Sequence, residues 1–124
     1  MHLLVVDDSE VNRDLASMML EKDHVVITAA NGLKALTALA SRSFDVILMD
    51  VQMPVMDGLE ATRRIRAMEK GGRRRMPVLG LTALAMKGDR EICLAAGMDE
   101  CIHKPIDLVA LSNAIAKTSV NLGS

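Results

Sequence analysis

Carboxylates collect at the ends of two apolar runs. Leu3-Leu4-Val5-Val6 closes on Asp7-Asp8, and Val46-Ile47-Leu48-Met49 closes on Asp50. Two further segments end on different chemistry: Val78-Leu79-Gly80-Leu81 on the hydroxyl of Thr82, and Glu100-Cys101-Ile102-His103 on Lys104-Pro105. If these segments are parallel strands, their carboxyl ends open on the crevice where such sheets bind ligands. Three carboxylates gathered there repel one another unless a cation joins them. The four strand ends thus deliver Asp7-Asp8, Asp50, Thr82 and Lys104.

The elements that must position these residues alternate along the chain. Strands are read near Leu3–Asp7, Val25–Thr28, Phe44–Asp50, Pro77–Thr82 and Asp99–His103, with amphipathic stretches between them, the βαβ pattern of a parallel sheet covered on both faces. A first helix over Glu10–Lys22 takes Ser9 as N-cap and places Val11, Leu15, Met18 and Met19 on its inner face. Asn31-Gly32 introduces the second, with Leu33, Leu36, Leu39 and Ala40 inward, and Asp57-Gly58 opens the third, with Leu59, Thr62, Ile65 and Met68 inward. The fourth, near Lys87–Ala96, ends at Gly97, a natural C′ glycine. Asp107 caps the fifth, which carries Leu108, Leu111 and Ile115 inward and ends near Lys117-Thr118. Gly71-Gly72-Arg73-Arg74-Arg75 reads as a solvated basic loop, and residues 119–124 as a frayed tail or linker after one domain over 1–118.

Composition excludes several classes. A chain of 124 residues that is half apolar fits one domain with one core. A net charge of −1 gives no electrostatic case for binding nucleic acid or anionic lipid. The absence of Trp and Tyr, with Phe44 as the one aromatic, removes stacking platforms for single strands. The ten methionines read as flexible core filling. Cys93 and Cys101 lack the CxxC spacing of a redox pair and the clustering of a zinc site, which suits a reduced, cytoplasmic setting. No apolar stretch approaches the roughly 20 residues of a membrane span. His2, His24 and His103 take surface or packing roles.

Four segments, Val6-Asp7-Asp8-Ser9, Met49-Asp50 through Asp57-Gly58, Leu81-Thr82-Ala83 and Lys104-Pro105, resemble in order and spacing the receiver domain of two-component response regulators, over essentially the full chain. The resemblance implies an α/β, flavodoxin-like, doubly wound (βα)5 sandwich with a five-stranded parallel sheet in the order 2-1-3-4-5. It implies that Asp50 accepts a phosphoryl group from a phosphohistidine on a histidine kinase or histidine phosphotransfer domain. Mg²⁺ would be ligated by Asp8, Asp50 and the backbone carbonyl of Gln52, with Asp7 acting through water, while Lys104 and Thr82 bind phosphoryl oxygens. Ser9 and Glu10 are read as helix-start residues instead. The wording from Met49 to Pro54 and from Asp57 to Arg66 looks most like receivers attached to hybrid sensor histidine kinases.

Four positions set output and lifetime within that resemblance. Thr82 is the switch hydroxyl. The aromatic residue usual three places before the lysine is Cys101 here, so phosphorylation is expected to change the fourth-helix, fifth-strand, fifth-helix face less than in typical members. Gln52 and Leu84 occupy the lifetime-tuning positions, and apolar Leu84 cannot orient an attacking water, which implies slow self-dephosphorylation. The module catalyses only its own modification and is expected as a monomer or weak dimer through that same face. Alternatives are a free-standing single-domain regulator and a phosphate-independent pseudo-receiver. A haloacid-dehalogenase-like hydrolase would carry a second Asp where Gln52 stands, and the first strand lacks the glycine-rich loop of a nucleotide binder.

Overall fold

The computed structural model describes residues 2–51, 53, 56–70, 75–82, 89–103 and 113–116. Five parallel strands, β1 (His2–Val6), β2 (Val25–Ala29), β3 (Val46–Asp50), β4 (Val78–Thr82) and β5 (Glu100–His103), form one sheet in the order β2-β1-β3-β4-β5. Every residue of β3 and β4 is buried, as interior strands covered on two faces require. The edge strand β2 is more open, with Val25 about half exposed. Alternation of side chains splits the core into two layers. Leu4, Val6, Ile47 and Met49 face one, and Leu3, Val5, Val46 and Leu48 face the other.

Helices α1 (Glu10–Leu20), α2 (Gly32–Ser41), α3 (Gly58–Glu69) and α4 (Asp89–Ala96) connect the strands, and residues 113–116 are helical. Ala35 of α2, Ala61 and Ile65 of α3 and Cys93 of α4 pack on the first layer. Ala16 and Leu20 of α1 pack on the second together with Ile115. Each of the first three helices begins on an acceptor side chain: Ser9 Oγ takes the Asn12 N–H, Asn31 Oδ1 the Lys34 N–H at 2.9 Å, and Asp57 Oδ1 the Glu60 N–H at 2.8 Å. These caps satisfy helix donors that would otherwise lack partners.

Helix faces differ from the sequence expectation. Val11, Leu15 and Met18 point outward at 74%, 46% and 71% exposure, and only Met19 of the expected stripe packs inward. Small Ala16, with Leu20, is what lets α1 approach the sheet closely. In α2, Leu33 and Ala40 are exposed while Ala35 is buried, with Leu36 and Leu39 partly covered. In α3, Thr62 and Ile65 are inward as expected and Met68 is not. The buried Thr62 hydroxyl donates to the Gly58 carbonyl at 2.7 Å, so its polarity is satisfied.

A half-buried cluster ties the end of α3 to the turn before β5. Arg66 donates to Asp99 at 3.0 Å, to Glu69 at 2.9 Å and to the carbonyls of Gly97 and Met76. Asp99 also accepts the Val78 N–H at 2.8 Å. Arg75, expected in a solvated loop, keeps an exposed side chain but reaches Asp99 at 3.0 Å; residues 71–74 lie outside the described residues. Helix α4 ends as expected: Gly97 adopts φ 110°, its N–H donates to Leu94, and the Met98 N–H donates to Cys93, the paired bonds of a Schellman ending. Residues 104–112 and 117–124, including Asp107, Leu108, Leu111 and the expected tail, also lie outside the described residues. Among the described residues no helix is long and apolar enough to cross a membrane.

Candidate functional site

Parallel pairing of β1 with β3, in which Val6 stands beside Met49, brings Asp7, Asp8 and Asp50 to one edge of the sheet. One carboxylate oxygen from each lies within 4.8 Å of the other two. Asp7 and Asp50 are buried, at 1% and 4% exposure, whereas Asp8 is exposed. The cluster therefore has a closed floor and an open side. An all-oxygen donor set with a solvent-facing flank fits Mg²⁺, which prefers a few carboxylates and retained waters. The chain's own residues thus pass the chemical test for that ion.

The start of α1 holds Asp7 in place. The Ser9 N–H donates to Asp7 Oδ1 at 2.9 Å, Asn12 Nδ2 to Oδ2 at 3.4 Å, and Arg13 Nη1 to the Asp7 carbonyl at 2.8 Å. The Asp7 N–H in turn donates to Ala29 at 3.1 Å, anchoring the segment to β2. Both Asp7 carboxylate oxygens thus accept hydrogen bonds from the start of α1. Ser9 is a cap and Glu10 the first exposed residue of the helix, both as read from the sequence.

Asp50 is positioned by the loop that follows it. The Val51 N–H donates to Leu81 at 2.9 Å and the Gly58 N–H to Val51 at 3.0 Å, folding the start of α3 back over the strand end. Gly58 has to be glycine here: a Cβ would collide with the Asp50 carbonyl oxygen and lie 2.9 Å from Met49 Cγ. Gly32 makes a similar close approach, its N–H donating to Met56 at 3.3 Å and a Cβ there meeting the same oxygen at 2.8 Å. Thr82, buried at 2%, ends β4 one residue beyond Leu81, the register partner of Asp50. The structure therefore brings Asp7, Asp8, Asp50 and Thr82 to the same end of the sheet. Gln52, Leu84 and Lys104 lie outside the described residues.

Cys101 stands in β5 opposite Gly80 of β4 and packs on the layer that contains Cys93. The two sulfurs are 3.0 Å apart, so the cysteines read as solitary from their spacing are neighbours. Eight residues separate them along the chain, and the Schellman turn at Gly97 folds the strand back against the helix. The glycine after α4 was the signal that could have found the pair.

The family model described as "Response regulator receiver domain" matches residues 3–116. The sensor histidine kinase RcsC of Salmonella typhi is 40% identical over 117 residues, which cover 94% of this chain and 12% of that protein. The chain therefore spans a small fraction of such a kinase. The solved receiver domain of a sensor histidine kinase from Pseudomonas aeruginosa, with a magnesium ion coordinated in its active-site cleft, is 40% identical with a TM-score of 0.86, covering 99% of this chain and 98% of that one. A Saccharomyces cerevisiae receiver domain, solved with a histidine phosphotransfer signaling protein, is 29% identical with a TM-score of 0.88, over 97% of this chain and 89% of that one.

Proposed function

Because the chain belongs to the response regulator receiver family, matched from residue 3 to residue 116, we propose that it is the phosphoacceptor module of a two-component phosphorelay, with Asp50 as acceptor. The observation that carries this reading is the convergence of Asp7, Asp8 and Asp50 at one sheet edge, with Asp50 buried on β3. An Asp50 carboxylate oxygen attacks phosphorus, the bond to the donor histidine nitrogen breaks, and the ring keeps the electron pair. As a carboxylate, Asp50 has no proton to lose on attack, so the step needs no general base. Asp8 and Asp50, with Asp7 behind them, would hold Mg²⁺, which when bound would supply charge neutralisation for the incoming oxygens. Thr82 offers a hydroxyl donor to one phosphoryl oxygen, and Lys104 and the Gln52 carbonyl are assigned by the family pattern to a second oxygen and to the metal.

The donor partner is a histidine phosphotransfer domain or the histidine-bearing domain of a kinase, and the parent protein is a hybrid sensor histidine kinase. The exposed stripe of Val11, Leu15 and Met18 supports such a partner, since α1 starts two residues after Asp8 and carries this stripe away from the acidic cluster. An apolar helix partner laid along it would place its histidine at the mouth of the crevice. The test is amide NMR of the chain with Mg²⁺ and beryllofluoride, alongside Asp50→Asn. Shifts at residues 7–8, 50–51 and 82 that need both Mg²⁺ and Asp50 are expected. Their absence in the native chain overturns the reading.

A further inference from the structure

We propose that Cys93 and Cys101 form a redox-modification site, closing to an intramolecular disulfide when a hydroperoxide oxidises the chain. The sulfurs already touch at 3.0 Å, against a bond length of about 2.05 Å, so rotation of the two side chains through about 1 Å of approach completes the link. They sit on different elements, Cys93 on the buried face of α4 and Cys101 in β5. The fixed turn between them, with its Gly97 and Met98 hydrogen bonds, holds those elements in this relation. Their exposures differ in the way a two-step oxidation needs. Cys93 is 2% exposed and shielded from solvent oxidant, whereas Cys101 is partly exposed and serves as the entry thiol.

The chemistry balances with peroxide as the only co-reactant. The Cys101 sulfur attacks one peroxide oxygen and the O–O bond breaks. This forms a sulfenic acid and a hydroxide that leaves as water with the thiol proton. The Cys93 sulfur then attacks the Cys101 sulfur, the S–O bond breaks, and hydroxide leaves as a second water with the Cys93 proton. Two thiols lose two electrons and two protons, and one peroxide becomes two waters. Burial of Cys93 against the S–OH favours this closure over further oxidation of Cys101. The product ties α4 to β5 without involving the acidic cluster, so the proposal stands apart from the phosphoacceptor reading.

The test is treatment of the reduced full chain with one equivalent of hydrogen peroxide, followed by thiol counting under denaturing conditions and non-reducing peptide mapping. The expected result is that both thiols disappear together, the chain stays monomeric, and a Cys93–Cys101 linked peptide appears that dithiothreitol removes. In Cys93→Ala the expectation is a Cys101 sulfenic acid trapped by dimedone. Loss of the Cys101 thiol with Cys93 left free in the native chain, or cross-linked dimers as the main product, would overturn the proposal. Because the mapping is read on the native chain, the result does not depend on the variant folding.

Discussion

Replacing Asp8 by Asn should change the sign of its effect on stability when Mg²⁺ is added. The oxygens of Asp7, Asp8 and Asp50 lie within 4.8 Å of one another. At that separation each pair of unit charges repels by about 0.9 kcal/mol at the permittivity of water. Asp8 takes part in two such pairs, giving about 2 kcal/mol before screening and about 1 kcal/mol in 0.1 M salt, with the buried floor of the site raising the figure. Its charge also favours the nearby start of α1 by roughly 0.3–1 kcal/mol, which offsets part of the gain. Asp8→Asn is therefore expected to be about 0.5 kcal/mol more stable than the native chain in EDTA. With Mg²⁺ at about 100 times its dissociation constant, the native chain gains about 2.7 kcal/mol that the variant largely forgoes, so the order inverts. Urea denaturation of both proteins, with EDTA and with Mg²⁺, measures all four stabilities. A variant destabilised in EDTA, or one that gains as much from Mg²⁺ as the native chain, would refute the assignment of these carboxylates to one cation site.

Gly58→Ala should destabilise the fold by about 1–3 kcal/mol in urea despite alanine's better helix propensity, because its Cβ displaces the Asp50 carbonyl; a neutral or stabilising effect would contradict the packing described at that strand end. Leu15→Glu, at a position 46% exposed, should leave the unfolding free energy within about 0.5 kcal/mol yet slow phosphoryl transfer from a phosphotransfer protein while sparing transfer from acetyl phosphate. Equal loss with both donors would remove the stripe from partner recognition. Glu or Asn in place of Leu84 should hasten decay of the phosphorylated chain; an unchanged decay rate would show that this side chain has no part in its lifetime.

Strands β1, β3 and β4 were readable because each is a nearly continuous apolar run ended by a polar residue, Asp7, Asp50 or Thr82, and β3 and β4 are buried throughout. Their carboxyl-end residues located the acidic cluster by the same logic. Helix faces were less readable. On α1 the large apolar residues at 11, 15 and 18 form one stripe and Ala16 with Leu20 another; periodicity cannot choose between them, because close packing on a sheet rewards a small residue that hydropathy ranks low. The contact between Cys93 and Cys101 was hidden for a related reason. Sequence separation measures distance along the chain, and only the tight turn at Gly97 makes a helix residue and a strand residue neighbours. The cap Ser9, and the helix starts marked by Asn31 and Asp57, were plain because these side chains act within three residues, where sequence and space coincide.

The most direct test of the central claim is intact-mass and peptide analysis of the chain after incubation with acetyl phosphate, with Mg²⁺ or with EDTA, beside Asp50→Asn. The predicted result is one added phosphoryl group that maps to Asp50, forms only with Mg²⁺ and is absent from the variant. Phosphorylation elsewhere, or none in the native chain with Mg²⁺ present, would contradict the account.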